Sequence, residues 1–245
     1  ISKKAFKIAL GVAIVFSVAQ LFTGHKSAEG VAENQPAKLA AMEGHFEENA
    51  PADLYILGWV DKEAQKTYGI ALPGMTSFLT HWDFNAPIRG LNSFPEDERP
   101  GAVNAVFQFY HLMVAIGMML IGISLLGGFL WWRGKLFQYK WVLWIFILAV
   151  ILPQLANQFG WFAAEMGRQP WVVYGLLRTS DALSNTVNAN QVLTSLIMFT
   201  IIYTLLFGLF IYLMNKKIQK GPDDGELEDQ RPHTKEMAEA FGSGN

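Results

Sequence analysis

Glu43 and Lys38 stand five residues apart in a stretch, Ala37 to Glu48, that reads as a short helix opened by Asn34-Gln35-Pro36. A carboxylate can take a proton from a hydroxyl within hydrogen-bond reach, and an ammonium can orient an oxygen or lower that carboxylate's pKa. Five residues separate two side chains by about 140° around a helix, so the two need not form an ion pair. The same residue types also suit a plain solvated helix. His45 and His81 add imidazoles able to exchange protons, although single loop histidines are more often incidental.

A second set lies in apolar surroundings, where a polar group is costly unless it is paired or functional. Gln154, Asn157, Gln158, Trp161 and Glu165 recur at three- and four-residue steps and share one helix face, which Arg168 would extend if the helix continued. The amides alone suit a polar seam between helices. Glu165 can be a metal ligand or a proton acceptor, or it can pair with Arg168 at i+3. Pro153 removes a backbone donor and should loosen or kink this helix. Further upstream come Gln108, His111 and Met113. His111 and Met113 are about 200° apart on a helix and cannot ligate one metal from the same face. By residue type His111 is the more obvious ligand. A membrane Met is usually filler, but Gly117, one turn after Met113, leaves room for a flat ligand, and a thioether is an axial ligand that raises a haem's potential.

The elements that must position these residues follow from the placement of charge. The chain has 245 residues, 51% hydrophobic and 16% charged, no cysteine and a net charge of −2. Zero cysteines exclude disulfides, thiolate metal sites and a cysteine nucleophile. The near-neutral balance gives no argument for a nucleic-acid partner. Windows 8–25, 100–132, 141–164 and 182–215 contain no Asp, Glu, Lys or Arg. Each is long enough to cross ~30 Å of hydrocarbon at ~1.5 Å per residue. The fold class is therefore an all-α integral membrane bundle with four transmembrane helices and a long extracytoplasmic loop.

Lys3, Lys4 and Lys7, then Arg133, Lys135 and Lys140, then Lys216, Lys217 and Lys220 flank these spans on one side, which the positive-inside rule makes cytoplasmic. The expected organisation is a span over 1–23, an outer loop over 24–103, spans over 104–132 and 141–167, an outer loop over 168–187, a span over 188–215 and a cytoplasmic tail over 216–245. The first segment is not read as a signal peptide, because its apolar run is long and Gln20–Ala28 holds no evident cleavage site. The missing initiator Met suggests a fragment or processed chain. Tyr55, Trp59, Tyr68, Phe78, Trp82 and Phe84 predict partial order in the long loop, with Gly69 to Leu91 loop-like. The acidic tail after Gly221 reads as disordered, and the sequence holds no internal repeat.

Three motifs carry a family resemblance. Gly160-Trp161-Phe162-Ala163-Ala164-Glu165-Met166-Gly167-Arg168-Gln169-Pro170-Trp171 resembles the GWxxxExGRQPW signature of cytochrome bd quinol oxidase subunit I. Gln35-Pro36-Ala37-Lys38-Leu39-Ala40-Ala41-Met42-Glu43 is similar to that family's quinol-loop motif, and Phe109-Tyr110-His111-Leu112-Met113-Val114 to its haem-ligand helix. The resemblance covers nearly the whole chain, but only the C-terminal half of a nine-span subunit, of the short quinol-loop type.

The resemblance implies Met113 as an axial ligand of the low-spin haem b558 and Glu165 as a ligand of a high-spin haem, b595 or d. It implies Trp161 beside those haems, Arg168 offsetting haem or carboxylate charge, and Lys38 with Glu43 binding and deprotonating quinol. His111 stands where some relatives have Arg, which leaves the haem potential open. The implied enzyme is a quinol:oxygen oxidoreductase of the bacterial cytoplasmic membrane, with its quinol loop on the outer face, building a proton gradient without pumping. Its partners would be the N-terminal half of the same subunit, a second oxidase subunit with or without a small single-span one, membrane quinol and dioxygen. The competing class is a non-catalytic quinone-binding or helix-packing subunit of another respiratory complex.

Overall fold

The computed structural model describes residues 2–184 and 186–221. It is mostly helical, and four helical segments are long and apolar enough to cross a membrane: Ser2–Asn34, Glu96–Trp132, Lys140–Gly167 and Ala189–Lys220. The chain divides into two units, one ending at Leu183 and one beginning at Ser184.

In the first unit, α1 (Ser2–Asn34) runs eleven residues past the expected boundary at residue 23. Bilayer thickness predicted the boundary, but helix propensity does not stop at the bilayer. His25 and Lys26 both reach Glu29 within one turn, at 3.1 and 2.7 Å, and such pairs support a helix in water. Pro36 opens α2 (Pro36–Glu43), which is shorter than the expected helix to Glu48. Gly44 ends it in the left-handed region (φ 71°), and its N–H donates to the Ala40 carbonyl. A Cβ there would fall 2.6 Å from Thr67 Oγ1, so the turn requires glycine twice over.

The segment after α2 is more ordered than a loop. β1 (Leu54–Asp61) and β2 (Lys66–Leu72) form an antiparallel hairpin. Asp61 Oδ1 accepts from the Glu63 and Ala64 N–H groups at 3.0 and 2.9 Å and so sets the turn. α3 (Met75–His81) falls inside Gly69 to Leu91, which the sequence suggested was loop-like. Two 3₁₀ turns then lead into α4 (Val103–Trp132).

The third apolar segment is broken, as Pro153 predicts. α5 (Lys140–Leu148) passes through a 3₁₀ turn at Ala149–Ile151 into α6 (Leu152–Gly167), with the proline in the first turn of α6. A short hairpin, β3 (Trp171–Val173) with β4 (Leu177–Arg178), follows. The two hairpins qualify the all-α expectation, while every candidate span is helical.

α4 is the central element, packing on both α6 and α1. Near its start, Ala40, Phe46, Val60, Phe107 and Ala163 join α2, β1, α4 and α6 in one buried cluster. At its other end Leu10, Leu130, Leu136 and Val142 join α1, α4 and α5. Gly127 permits that approach, because a Cβ would meet Phe146 at 2.6 Å and Leu10 at 3.0 Å.

The second unit is α7 (Ala189–Lys220), opened by a capping box in which Asn188 N–H donates to Gln191 Oε1 at 3.0 Å. The expected disordered tail lies outside the described residues beyond Gly221.

Candidate functional site

Glu43 is the last residue of α2, and the αL turn at Gly44 fixes its direction. It is only 3% exposed. The Tyr110 hydroxyl of α4 and the Thr76 hydroxyl of α3 approach its carboxyl, and Oε2 is left without a hydrogen-bond partner. Burial pushes its pKa up to about 7, against the opposing pull of the two hydroxyls. A carboxyl with that affinity is half-ionised near neutral pH and can both take and release a proton.

Lys38 does not join it. The Lys38 stem lies over α6, where a Cβ on Gly167 would come 3.1 Å from Lys38 Cγ. Burial lowers the Lys38 pKa, the Glu165 charge raises it, and Arg168 lowers it. The structure thus brings Lys38 together with Glu165 and Arg168, while Glu43 is buried against the Tyr110 and Thr76 hydroxyls. Among the described residues Lys38 and Glu43 form no ion pair.

Glu165 and Arg168 do pair. Arg168 Nε and Nη2 both donate to Glu165 Oε2, at 2.9 and 2.7 Å, and Nη1 donates to the Trp171 carbonyl at 3.1 Å. Both side chains are partly exposed, so the pair is worth at most about 1 kcal/mol. Glu165 Oε1 takes no part in it. The stripe from Gln154 through Trp161 to Glu165 lies wholly within α6, after the break, and Arg168 is the residue just past the helix end.

On α4, Met113 points its sulfur at α6, and a Cβ on Gly160 would lie 2.6 Å from Sδ. Beside Gly117, one turn on, nothing stands within 4 Å of an added Cβ. His111 faces elsewhere. Its Nδ1 is 2.8 Å from the Phe107 carbonyl and its Nε2 2.6 Å from the Tyr55 carbonyl, so neither nitrogen is directed to a metal. It belongs to a ladder at steps of four and three. Asn104 Oδ1 accepts from Val60 N–H at 3.1 Å, Gln108 Nε2 donates to the Gly58 carbonyl at 2.7 Å, and His111 completes it. That stripe docks the hairpin onto α4.

Several participants were not singled out in the sequence. Tyr110 and Thr76 reach Glu43 only through tertiary packing. Gln35 and Trp171 line a shallow cleft with Lys38, Glu98, Arg168 and Tyr174. Gln35 Oε1 and Trp171 Nε1 are both buried without hydrogen-bond partners. The indole in the GRQPW motif was the available signal for that cleft.

The chain is similar to known proteins along most of its length. Residues 1–222 match the family described as cytochrome bd terminal oxidase subunit I. The chain is 36% identical, over 92% of its length and 50% of the relative's, to a Bacillus subtilis (strain 168) protein provisionally named cytochrome bd menaquinol oxidase subunit I. It is 32% identical to the cytochrome bd ubiquinol oxidase subunit 1 of the same organism, over 93% of this chain and 51% of that one. The solved bd oxidase from Geobacillus thermodenitrificans superposes with a TM-score of 0.74 at 32% identity, covering 90% of this chain and 50% of that chain. The chain therefore spans about half the length of these relatives. With four candidate spans and a family match along nine-tenths of its length, it is a multi-pass membrane protein and belongs to the cytochrome bd terminal oxidase subunit I family.

Proposed function

We propose that this chain supplies the quinol-oxidising end and two axial haem donors of a bd-type oxidase, which oxidises membrane quinol and reduces dioxygen to water. One observation carries the proposal: Glu43 is a buried carboxyl with an unpartnered oxygen and a pKa of about 7. Quinol oxidation releases two electrons and two protons, so it needs such a base at the hydroxyl. The relatives' names include both ubiquinol and menaquinol.

The donors fit a haem better than a bare ion. Among the described residues no three His, Asp or Glu side chains converge on one point. A porphyrin needs only axial ligands from the protein. Glu165 has one oxygen outside its pair with Arg168, and Met113 has open space one turn away at Gly117. We assign Met113 to haem b558 and Glu165 to b595 or d, with Trp161 alongside. When bound, the haems would accept electrons singly and pass them to dioxygen. Arg168 holds the Glu165 carboxylate in place and offsets its charge. Lys38 adds a second cation beside that pair and orients a quinone oxygen. His111 ties the helix carrying Met113 to β1 and so positions it.

The complete enzyme would contain the subunit's other half, giving nine spans, and a second oxidase subunit with or without a small single-span one. It would lie in the bacterial cytoplasmic membrane with residues 24–103 outside. Quinol protons would leave on that side, contributing to the gradient without pumping. Purified complete complex should show haem absorbance and quinol-dependent oxygen uptake. A complex with neither would overturn the proposal.

A further inference from the structure

The hairpin that docks on α4 buries one face and leaves the other bare. On the docked face Val60 and Thr67 are buried, and a Cβ on Gly58 would come 3.2 Å from Phe107 Cζ. On the opposite face stand two directly paired couples, Leu57 with Ile70 and Trp59 with Tyr68, each residue more than half exposed. The bulge between Tyr55 and Leu57 turns Ile56 outward as well. Charge enters this face only at the turn, with Asp61 and Lys66. A contiguous apolar face of this kind marks a binding surface.

The depth of that face follows from α4. The helix has 30 residues, about 45 Å at ~1.5 Å per residue, against ~30 Å of hydrocarbon. Its far end carries Trp131 and Trp132 just before Arg133, the residue types that mark a membrane surface. Counting about 20 residues back from Trp132, the hydrocarbon ends near Leu112, so Val103 to His111 lie at headgroup level. The hairpin is bonded to that stretch. Val60 N–H meets Asn104, the Gly58 carbonyl Gln108 and the Tyr55 carbonyl His111. The order of those bonds sets its direction: the strand ends at Leu54 and Leu72 lie deepest, and the turn from Asp61 to Lys66 lies farthest from the membrane centre.

The side chains are graded along the same axis. Ile56, Leu57, Ile70 and Leu72 occupy the deeper part, Trp59 and Tyr68 come next, and Lys62, Glu63 and Lys66 stand at the turn. The Lys66 ammonium reaches back over the Tyr68 ring, 5.4 Å from its centroid. Aliphatic, then aromatic, then charged is the order in which a bilayer passes from acyl chains through headgroups to water. A protein partner would not require that order.

We propose that the bare face of the β1–β2 hairpin binds a phospholipid surface, with its aliphatic end at the acyl-chain boundary and Trp59 and Tyr68 among the headgroups. The two aromatic side chains suit that layer, each having an apolar body and one polar group for headgroup oxygens. The anchor also bears on Glu43. The Thr67 hydroxyl of β2 donates to the Gly44 carbonyl at 2.6 Å, so the hairpin fixes the turn next to Glu43 at a set depth. That consequence rests on the quinol-oxidase reading above, whereas the anchor itself does not.

The chain has no cysteine, so a nitroxide can be attached at one chosen position. The test uses the complete complex in phosphatidylcholine–phosphatidylglycerol vesicles, with Ile70→Cys and Glu63→Cys labelled in turn and the signal of the unsubstituted complex subtracted. At Ile70, collision with oxygen, which concentrates in lipid, should exceed collision with a water-soluble nickel chelate several-fold. At Glu63 the ratio should invert. Leu57→Cys, across the strand, should repeat the Ile70 result and serves if Ile70→Cys does not assemble. Shielding of these labels from both reagents would mean that protein covers the face and would overturn the proposal. Equal nickel access at Ile70 and Glu63 would place the face in water and overturn it too. No outcome depends on quinol turnover, so failure of the anchor and failure of the oxidase reading are told apart.

Discussion

Gly167 of α6 lies directly beneath Lys38 of α2, so close that a Cβ on the glycine would come within 3.1 Å of Lys38 Cγ. The glycine of the GRQPW motif is thus where α2 rests on the helix carrying Glu165. Lys38→Met keeps the stem over Gly167 and removes only the charge. The proposed role predicts a several-fold rise in quinol KM with a smaller change in kcat. Steady-state kinetics identical to wild type would assign Lys38 to packing.

Gly44→Ala tests the turn that aims Glu43. The new Cβ meets Thr67 Oγ1 at 2.6 Å and Val60 Cγ2 at 2.9 Å in a backbone conformation at φ 71°. The cost should be about 1–3 kcal/mol, and quinol turnover should drop while donor-driven oxygen uptake persists. Unaltered thermal stability and turnover would contradict the cap.

Much of this was legible in the sequence, for reasons specific to each element. Charge-free windows located the four spans, and Pro153 located the break before α6. The GWxxxExGRQPW stretch identified Glu165 and Arg168, and their i+3 spacing led to a real ion pair. Lys38 was harder. Its helical angle correctly separated it from Glu43, but contact with α6 depends on tertiary packing that spacing does not encode. The β1–β2 hairpin was missed because its partner is the polar stripe Asn104, Gln108 and His111, which reads as a membrane feature when α4 is considered alone. The end of α1 was missed because membrane thickness sets no limit on helix length in water.

Burial of Glu43 also predicts a pH signature in stability. Its folded pKa of about 7 exceeds the ordinary carboxyl value of 4.5, so the folded chain keeps its proton longer. Below pH 4.5 the carboxyl is neutral in both states and no penalty exists. As pH rises through that value to about 7 the unfolded chain is favoured, by about 3 kcal/mol at most, and above 7 the penalty is constant. Glu43→Gln should therefore gain thermal stability over wild type across that window and hold the gain at higher pH. Parallel stability curves for the two proteins would contradict the burial account.

Glu165→Gln separates ligand from salt bridge. If Glu165 only pairs with Arg168, the change costs at most about 1 kcal/mol and all pigments remain. The ligand role predicts loss or spectral change of one high-spin haem, with the b558 signal much less affected. Oxygen uptake should then fail even with an artificial donor. Quantitative pigment analysis with unperturbed high-spin bands would rule the ligand out.

Glu43→Gln in the complete enzyme, assayed with two electron sources, tests whether Glu43 takes the quinol proton. Glutamine keeps the volume and a hydrogen-bonding head but cannot take a proton at neutral pH. Quinol-driven oxygen uptake should fall by roughly 100-fold. Uptake from an artificial one-electron donor should match wild type, because Met113 and Glu165, the proposed haem donors, are untouched. Equal quinol-driven rates in variant and wild type would show that the proton leaves by another group and would contradict the account.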